Sequence, residues 1–315
     1  MDSEFAAALR SPDADDALSS LADRSDASSY AIGRLNDPDP EVRVAACDLL
    51  GRAADVHEEA RPVAAEALLS IAVPDSVESL VYALGRTYDA RVVPRLLEHI
   101  AHPDADVRLA VAWALPNVLL DWDEPEPPGV TEALIGLSGD ADEEVRDWAT
   151  FGLGRMSNFD GPQIRAALLA RTTDSFQDAR EEGICGLARR RDPRGIALLG
   201  DLLAEETLQI GVFDTAALVG DASYLSRLEA FDVEDTGIAD AMRECDPVRR
   251  AARDEFAWQL MATLAAQRPE LEPTLYCERF EPGISLAVNV AGTCRSYDID
   301  RLMANEQSVS DLLAS

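Results

Sequence analysis

The 315-residue chain sets 28 basic residues, every one an arginine, against 59 acidic ones, for a formal net charge of −31. That balance argues against a nucleic-acid partner, since phosphate binding needs clustered cations. It fits either a salt-loving source or a basic protein partner, because self-repulsion of this size aids solubility while straining a compact state. Apolar residues reach 47%, enough for a continuous core, and aromatics only 6%.

No membrane span is expected: the longest nearly apolar stretch, 109–120, contains Pro116 and Asn117 and is too short to cross a bilayer. The five cysteines (Cys47, Cys185, Cys245, Cys277, Cys294) form no Cys-x-x-Cys pair. An odd, dispersed set implies reduced thiols, and the N-terminus lacks the basic region of a signal peptide. The expectation is a soluble cytoplasmic protein.

In chain order, residues 1–26 are polar and read as a tail or a weak leading helix. From 27 to 245 the sequence repeats: an A helix, a turn, then a B helix rich in small residues and closed by a leucine. The closing leucines are Leu50, Leu84, Leu115, Leu153, Leu187 and Leu218, spaced 34, 31, 38, 34 and 31 residues apart. A period near that length is the mark of stacked helical hairpins, each contacting only its neighbours. Asp39, Asp104, Asp142 and Thr207 stand eleven residues before their leucines, where a short polar side chain caps a helix. Val73 and Phe176 hold that place in the other copies, so those helices are expected to start a residue or two off register. The longest spacing coincides with an acidic, proline-rich stretch at 121–129, read as an exposed loop or a spacer.

The pattern stops after Pro247. Residues 248–267 read as one longer helix, and 284–290 alternate apolar with small or polar residues, as a strand does. Residues 246–315 are therefore expected to cap the array, with a small independent α+β module as the alternative.

Three segments carry the repeat most clearly: Asp37-Pro-Asp-Pro-Glu-Val-Arg43, His102-Pro-Asp-Ala-Asp-Val-Arg108 and Asp140-Ala-Asp-Glu-Glu-Val-Arg146. With the terminal Leu-Gly, this motif resembles the HEAT repeat, in the short bacterial form of phycobilin-lyase-like proteins. The resemblance implies an all-α, right-handed solenoid whose B helices line the concave surface. It implies little about activity, because similar repeats serve scaffolds, adaptors and a few enzymes.

Advancing about 100° per residue from the leucine, positions −8, −4, −1 and 0 share one arc, the expected core. Position −2 falls nearly opposite, and there stand Asp48, Tyr82, Trp113, Phe151, Cys185 and Ala216. Tyr82, Trp113 and Phe151 would make an aromatic ladder, flanked by Trp148 and further on by Phe213, with Glu78, Asp147, Glu181 and Glu182 on the same face. Aromatics bordered by carboxylates suit a basic, partly apolar polypeptide; coverage of the column by neighbouring helices is the competing reading. Position −7 carries Arg43, Arg108, Arg146 and Arg180, expected to pair with aspartates of adjacent inter-helix turns rather than to hold an anionic ligand.

No catalytic centre, cofactor site or metal site is indicated. His99 and His102 near Asp104 and Asp106 lack a dictated fourth ligand, and 121–126 does not fit a calcium loop. Phosphate-binding glycine loops and nucleophile elbows are missing from the sequence. The favoured reading is a non-enzymatic scaffold that grips a basic partner protein. The alternative is an enzyme on the same repeats, such as a bilin-lyase-like protein.

Overall fold

The structure, a computed structural model, describes residues 1–72, 74–118, 127–231, 236–277, 282–290 and 292–314. Val73 and positions 121–126 of the acidic stretch lie outside the described residues. The chain is mostly helical and divides into two compact units, Met1–Gly186 and Leu187–Ser315.

In the first unit, residues 1–26 form two helices, Asp2–Ala8 and Ala14–Ala22. Phe5, Leu18 and Leu21 are buried, and Phe5 meets Tyr30 edge-on at 5.4 Å. The apolar positions of this polar segment are thus enough to seat it.

Four hairpins follow: Ala27–Arg34 with Pro40–Val56, Arg61–Leu69 with Val77–Gly85, Val93–Leu97 with Ala105–Asn117, and Val130–Leu137 with Glu143–Phe151. The last B helix continues as a π-helical turn, Gly152–Met156. The expected caps operate. Asp39, Asp104 and Asp142 accept the backbone N–H of Glu41, Asp106 and Glu144, each worth about 1 kcal/mol. Pro40 follows at the first helical position, where its missing N–H costs nothing.

The expected core arc is buried. Ala46, Leu49, Leu50, Val111, Ala114 and Leu115 are fully enclosed, and only Val42 is half-buried. Small residues let consecutive B helices close in. A Cβ at Gly85 would stand 2.6 Å from Ala114 Cβ, so the Leu-Gly step is a close-approach site. Where Pro116 replaces that glycine, Gly152 of the next helix supplies the space, since a Cβ there would collide with the proline ring.

Register departs from expectation in three copies. The Gln177–Arg189 helix starts in phase. The Val77–Gly85 helix instead starts seven residues before its leucine, where Pro40, Ala105 and Glu143 start ten before theirs. Ser76, not an aspartate, caps it by accepting Ser79 N–H. In the second unit Thr207 is not the cap: the helix is Ile210–Val219, with Gln209 before it.

The second unit continues with Pro193–Leu202, Ile210–Val219, Leu225–Leu228 and Thr236–Cys245, then the 21-residue helix Pro247–Gln267. A three-stranded antiparallel sheet follows, in the order β1 (Thr274–Tyr276), β2 (Ser285–Val290), β3 (Thr293–Asp298). Leu286 lies opposite Leu275 and Tyr297. Leu286 and Val288 share one apolar cluster with Ala257, Leu260 and Leu264 of the long helix and with Ile299 and Leu302, so the alternation in β2 is what fastens the sheet to the helix.

Candidate functional site

Two columns of side chains run along the B helices of the first unit. The first is the arginine column at position −7. Arg43 forks onto Asp75 with Nε and Nη2 at 2.6 Å each, Arg108 onto Asp140 at 2.8 Å, and Arg146 onto Asp174 at 2.9 Å. In every rung Nη1 donates to the carbonyl six residues back, that of Asp37, His102 or Asp140. These guanidiniums are consumed in joining one repeat to the next, as bidentate geometry favours. Burial grows along the series, from side-chain exposures of 28% and 30% at Arg43–Asp75 to 13% and 5% at Arg146–Asp174. Asp174, bonded first to Arg146, is held down to about 2.

The second column is the aromatic one at position −2. Tyr82, Trp113 and Phe151 are half-buried. Tyr82 and Trp113 of successive repeats meet edge-to-face at 5.3 Å. Phe151 instead pairs with Trp148 of its own helix at 5.6 Å, and Trp148 remains 36% exposed. The indole of Trp113 lies against Gly85, where a Cβ would come 2.9 Å from Cζ3.

The acidic neighbours separate by depth. Glu78 is exposed and Asp147 partly so. Glu181 and Glu182 are buried at 1% and 4%, where Gln177 donates to Glu181 at 2.7 Å and Arg155 pairs with Glu182 at 3.2 Å. They do not offer open carboxylates. Beyond Phe151 the column closes, because Cys185 is also buried. Phe213, expected to flank the face, is a core residue of the second unit, stacked edge-on against Phe231 at 5.0 Å.

Residues 30–116 match the family described as HEAT repeats. These residues carry HEAT repeats. Protein YibA of Escherichia coli K12 is 28% identical over 142 residues, which is 45% of this chain and 48% of that protein. The match thus spans about half the length of that relative. Among solved structures, the X-ray structure of Escherichia coli YibA aligns at a TM-score of 0.49 and 21% identity, covering 76% of this chain and 94% of that one. Kap121p bound to Nup53p aligns at 0.46 and 15%, covering 94% of this chain and 35% of Kap121p. Human deoxyhypusine hydroxylase in complex with glycerol aligns at 0.30 and 17%, covering 72% and 86%.

Within the HEAT array, the sequence reading passed over one set of residues on the aromatic face. Arginines follow Leu-Gly at position +2, one turn beyond the aromatic column, and the i, i+4 relation puts both on one face. Arg86 lies 5.7 Å from the Trp113 ring centroid and pairs with Asp48 at 2.8 Å. Arg155 lies 5.3 Å from the Phe151 centroid. The recurring Leu-Gly-Arg was the available signal. Each arginine stacks on an aromatic while an acid of a neighbouring repeat holds it, which fixes the rings in place.

Asp147 is the exception on this face. Burial first, then the carboxylates of Glu182, Asp178, Glu144 and Glu181, raise it to about 7, and its Oδ1 has no hydrogen-bond partner among the described residues. Cys47 is inert by the same physics, since burial pushes its thiol up to about 12. The His99 and His102 rings are 6.2 Å apart, and His102 Nδ1 accepts the Asp104 N–H. Among the described residues no group of three or more His, Cys, Asp or Glu is placed to hold a metal, and no described helix is long and apolar enough to cross a membrane.

Proposed function

We propose that this HEAT array is a binding scaffold without a reaction of its own, and that it grips a basic polypeptide along the face of Tyr82, Trp113, Phe151 and Trp148. The observation that carries the reading is the pairing of an exposed indole, Trp148, with an acid that has no counter-charge among the described residues, Asp147. A carboxyl oxygen enclosed without a hydrogen-bond donor costs stability, and such costs concentrate at functional sites. A lysine or arginine of a partner would relieve it, and the indole would add cation–π attraction. Glu78 and the net charge of −31 would speed the encounter at low salt.

The test is capture from native lysate on the wild-type chain beside Trp148→Ala and Asp147→Asn. A basic polypeptide retained by the wild type and lost from both variants is expected, with Trp148→Ala weakening binding by about 2 kcal/mol or more, the hot-spot scale. Its stability should change by less than about 1 kcal/mol. Trp113→Ala is a poorer probe, because this half-buried ring also packs on Gly85 and Tyr82. An acidic partner, or one held equally by all three proteins, would overturn the reading.

A further inference from the structure

The 21-residue helix Pro247–Gln267 is largely apolar on two sides. One side is spent: Ala257, Leu260 and Leu264 are buried in the cluster shared with Leu286, Val288, Ile299 and Leu302. The other side runs through Val248, Ala251, Glu255, Trp258, Ala262 and Ala265, all of them exposed. At about 100° per residue, the two sides are centred roughly 160° apart. Val248, Glu255 and Ala262 follow one another at seven residues, and so do Ala251, Trp258 and Ala265. That spacing is the seam of a two-stranded coiled coil. Trp258, near the middle of the helix, is 60% exposed, and Val248, at its start, is 76% exposed. A helix apolar on two sides belongs between two layers, and among the described residues only one of its sides is covered.

The charges on the open side decide what would cover it. Asp254, beside the seam, is paired with Arg253 at 3.2 Å. Glu255 lies in the seam and makes no ion pair among the described residues; its carboxylate accepts from the neutral amide of Gln259 at 3.0 Å. Glu255 and Trp258 are three apart, so carboxylate and indole are neighbours on one face. A second copy of the chain is a poor occupant. Paired in parallel, it would set Glu255 on Glu255 and Trp258 on Trp258. Paired antiparallel in full register, it would bring the two Glu255 carboxylates within about one turn of each other. Each copy also carries a charge of −31, which opposes self-association. A basic helix meets none of these objections.

We infer that this side of the Pro247–Gln267 helix docks an amphipathic helix of another protein, with small or aliphatic residues at heptad spacing and a lysine or arginine facing Glu255. The surface lies in the second unit and does not depend on the aromatic face. Trp258 is the anchor, packing over the small residues of the docked helix. The cation of that helix meets the Glu255 carboxylate and the indole together.

The test uses synthetic peptides as long as the helix, with leucine and alanine alternating at the seam positions and monomeric by sedimentation. One has lysine beside the seam, one glutamine, one glutamate, and a fourth scrambles the lysine peptide. Each is titrated into the full chain by fluorescence anisotropy at about 150 mM salt. The lysine peptide should saturate with a dissociation constant of about 10–100 μM, as suits a contact smaller than a standard interface. The glutamine peptide should bind about fivefold more weakly, and the glutamate and scrambled peptides not measurably. Trp258→Ala should weaken the lysine peptide at least about tenfold. Glu255→Gln should weaken it about threefold and leave the glutamine peptide unchanged. Ala262→Arg, an exposed change that sets a cation in the seam, should abolish lysine-peptide binding and decides the matter if Trp258→Ala does not fold. Trp148→Ala should leave that binding unchanged, which separates this surface from the aromatic face. Absence of saturation, equal binding of the scrambled or glutamate peptide, indifference to Trp258→Ala, or loss through Trp148→Ala would overturn the assignment. So would dimers of the chain itself that Trp258→Ala dissolves, since the face would then belong to a second copy.

Discussion

The arginine ladder and the aromatic face belong to the same repeats, yet they treat the same functional group in opposite ways. On the ladder, Asp174 is nearly buried and sits at about 2 because Arg146 and Arg171 bond to it. On the face, Asp147 sits at about 7 because burial and four neighbouring carboxylates surround it. The chain's acid excess is therefore not one uniform penalty. Ladder acids are structural and already satisfied. The acid on the face is left at a cost, and under the proposed function a partner supplies the cation that would remove it.

The largest expected effect breaks the ladder. Arg146→Ala takes two charge-assisted hydrogen bonds from Asp174, which is 5% exposed, and leaves it Arg171, and should destabilise the chain by about 2 kcal/mol. Arg43→Ala, at the open end of the same ladder, should cost clearly less, because water screens that pair. Denaturant midpoints of the two variants provide the check; equal losses would mean that burial does not distinguish the rungs.

The next effect has the opposite sign. A carboxyl whose folded-state value is raised destabilises the native state once the unfolded chain has ionised. The penalty is absent below about pH 4, grows through pH 7, and is complete above it. Asp147→Asn should therefore raise stability near pH 8, by about 2 kcal/mol after allowing for partial exposure, and leave it unchanged near pH 3.5. Asp174 behaves conversely: its folded-state value is depressed, so its contribution is present above about pH 4 and is lost as the pH falls towards 2. If Asp147→Asn is neutral at both pH values, the contrast between the two regions fails.

Much of this architecture could be read from the residues. The aspartate caps and closing leucines located most repeat helices, and arginines beside the core arc pointed to the rungs. What escaped were features that depend on neighbours. A helical wheel gives direction but not what lies there, so it placed Glu181 and Glu182 on a face without revealing their burial. It also missed Arg86 and Arg155 against the aromatic rings. The late start of the Val77–Gly85 helix was underestimated because Ser76 caps it outside the aspartate pattern. In the second unit β2 showed alternation, whereas β1 has only three residues and β3 is exposed along nearly its whole length. Neither has the period-two burial that makes a strand visible in sequence.

The smallest expected effect concerns salt, and it sharpens the comparison by separating paired from unpaired acids. Ladder rungs are short-range, fork-like and increasingly buried, so added salt screens them little. The rest of the −31 is mutual repulsion between carboxylates across a surface without lysine. Raising sodium chloride from about 20 mM to about 200 mM shortens the screening length to roughly the spacing of neighbouring surface charges. The melting temperature should rise by a few degrees as a result. Asp147→Asn should keep most of that rise, because it removes one acid of many, whereas Arg43→Ala should steepen it by freeing Asp75. A melting temperature that falls with salt would mean that attractive pairs dominate throughout, and that the distinction between a satisfied ladder and an unsatisfied face does not hold.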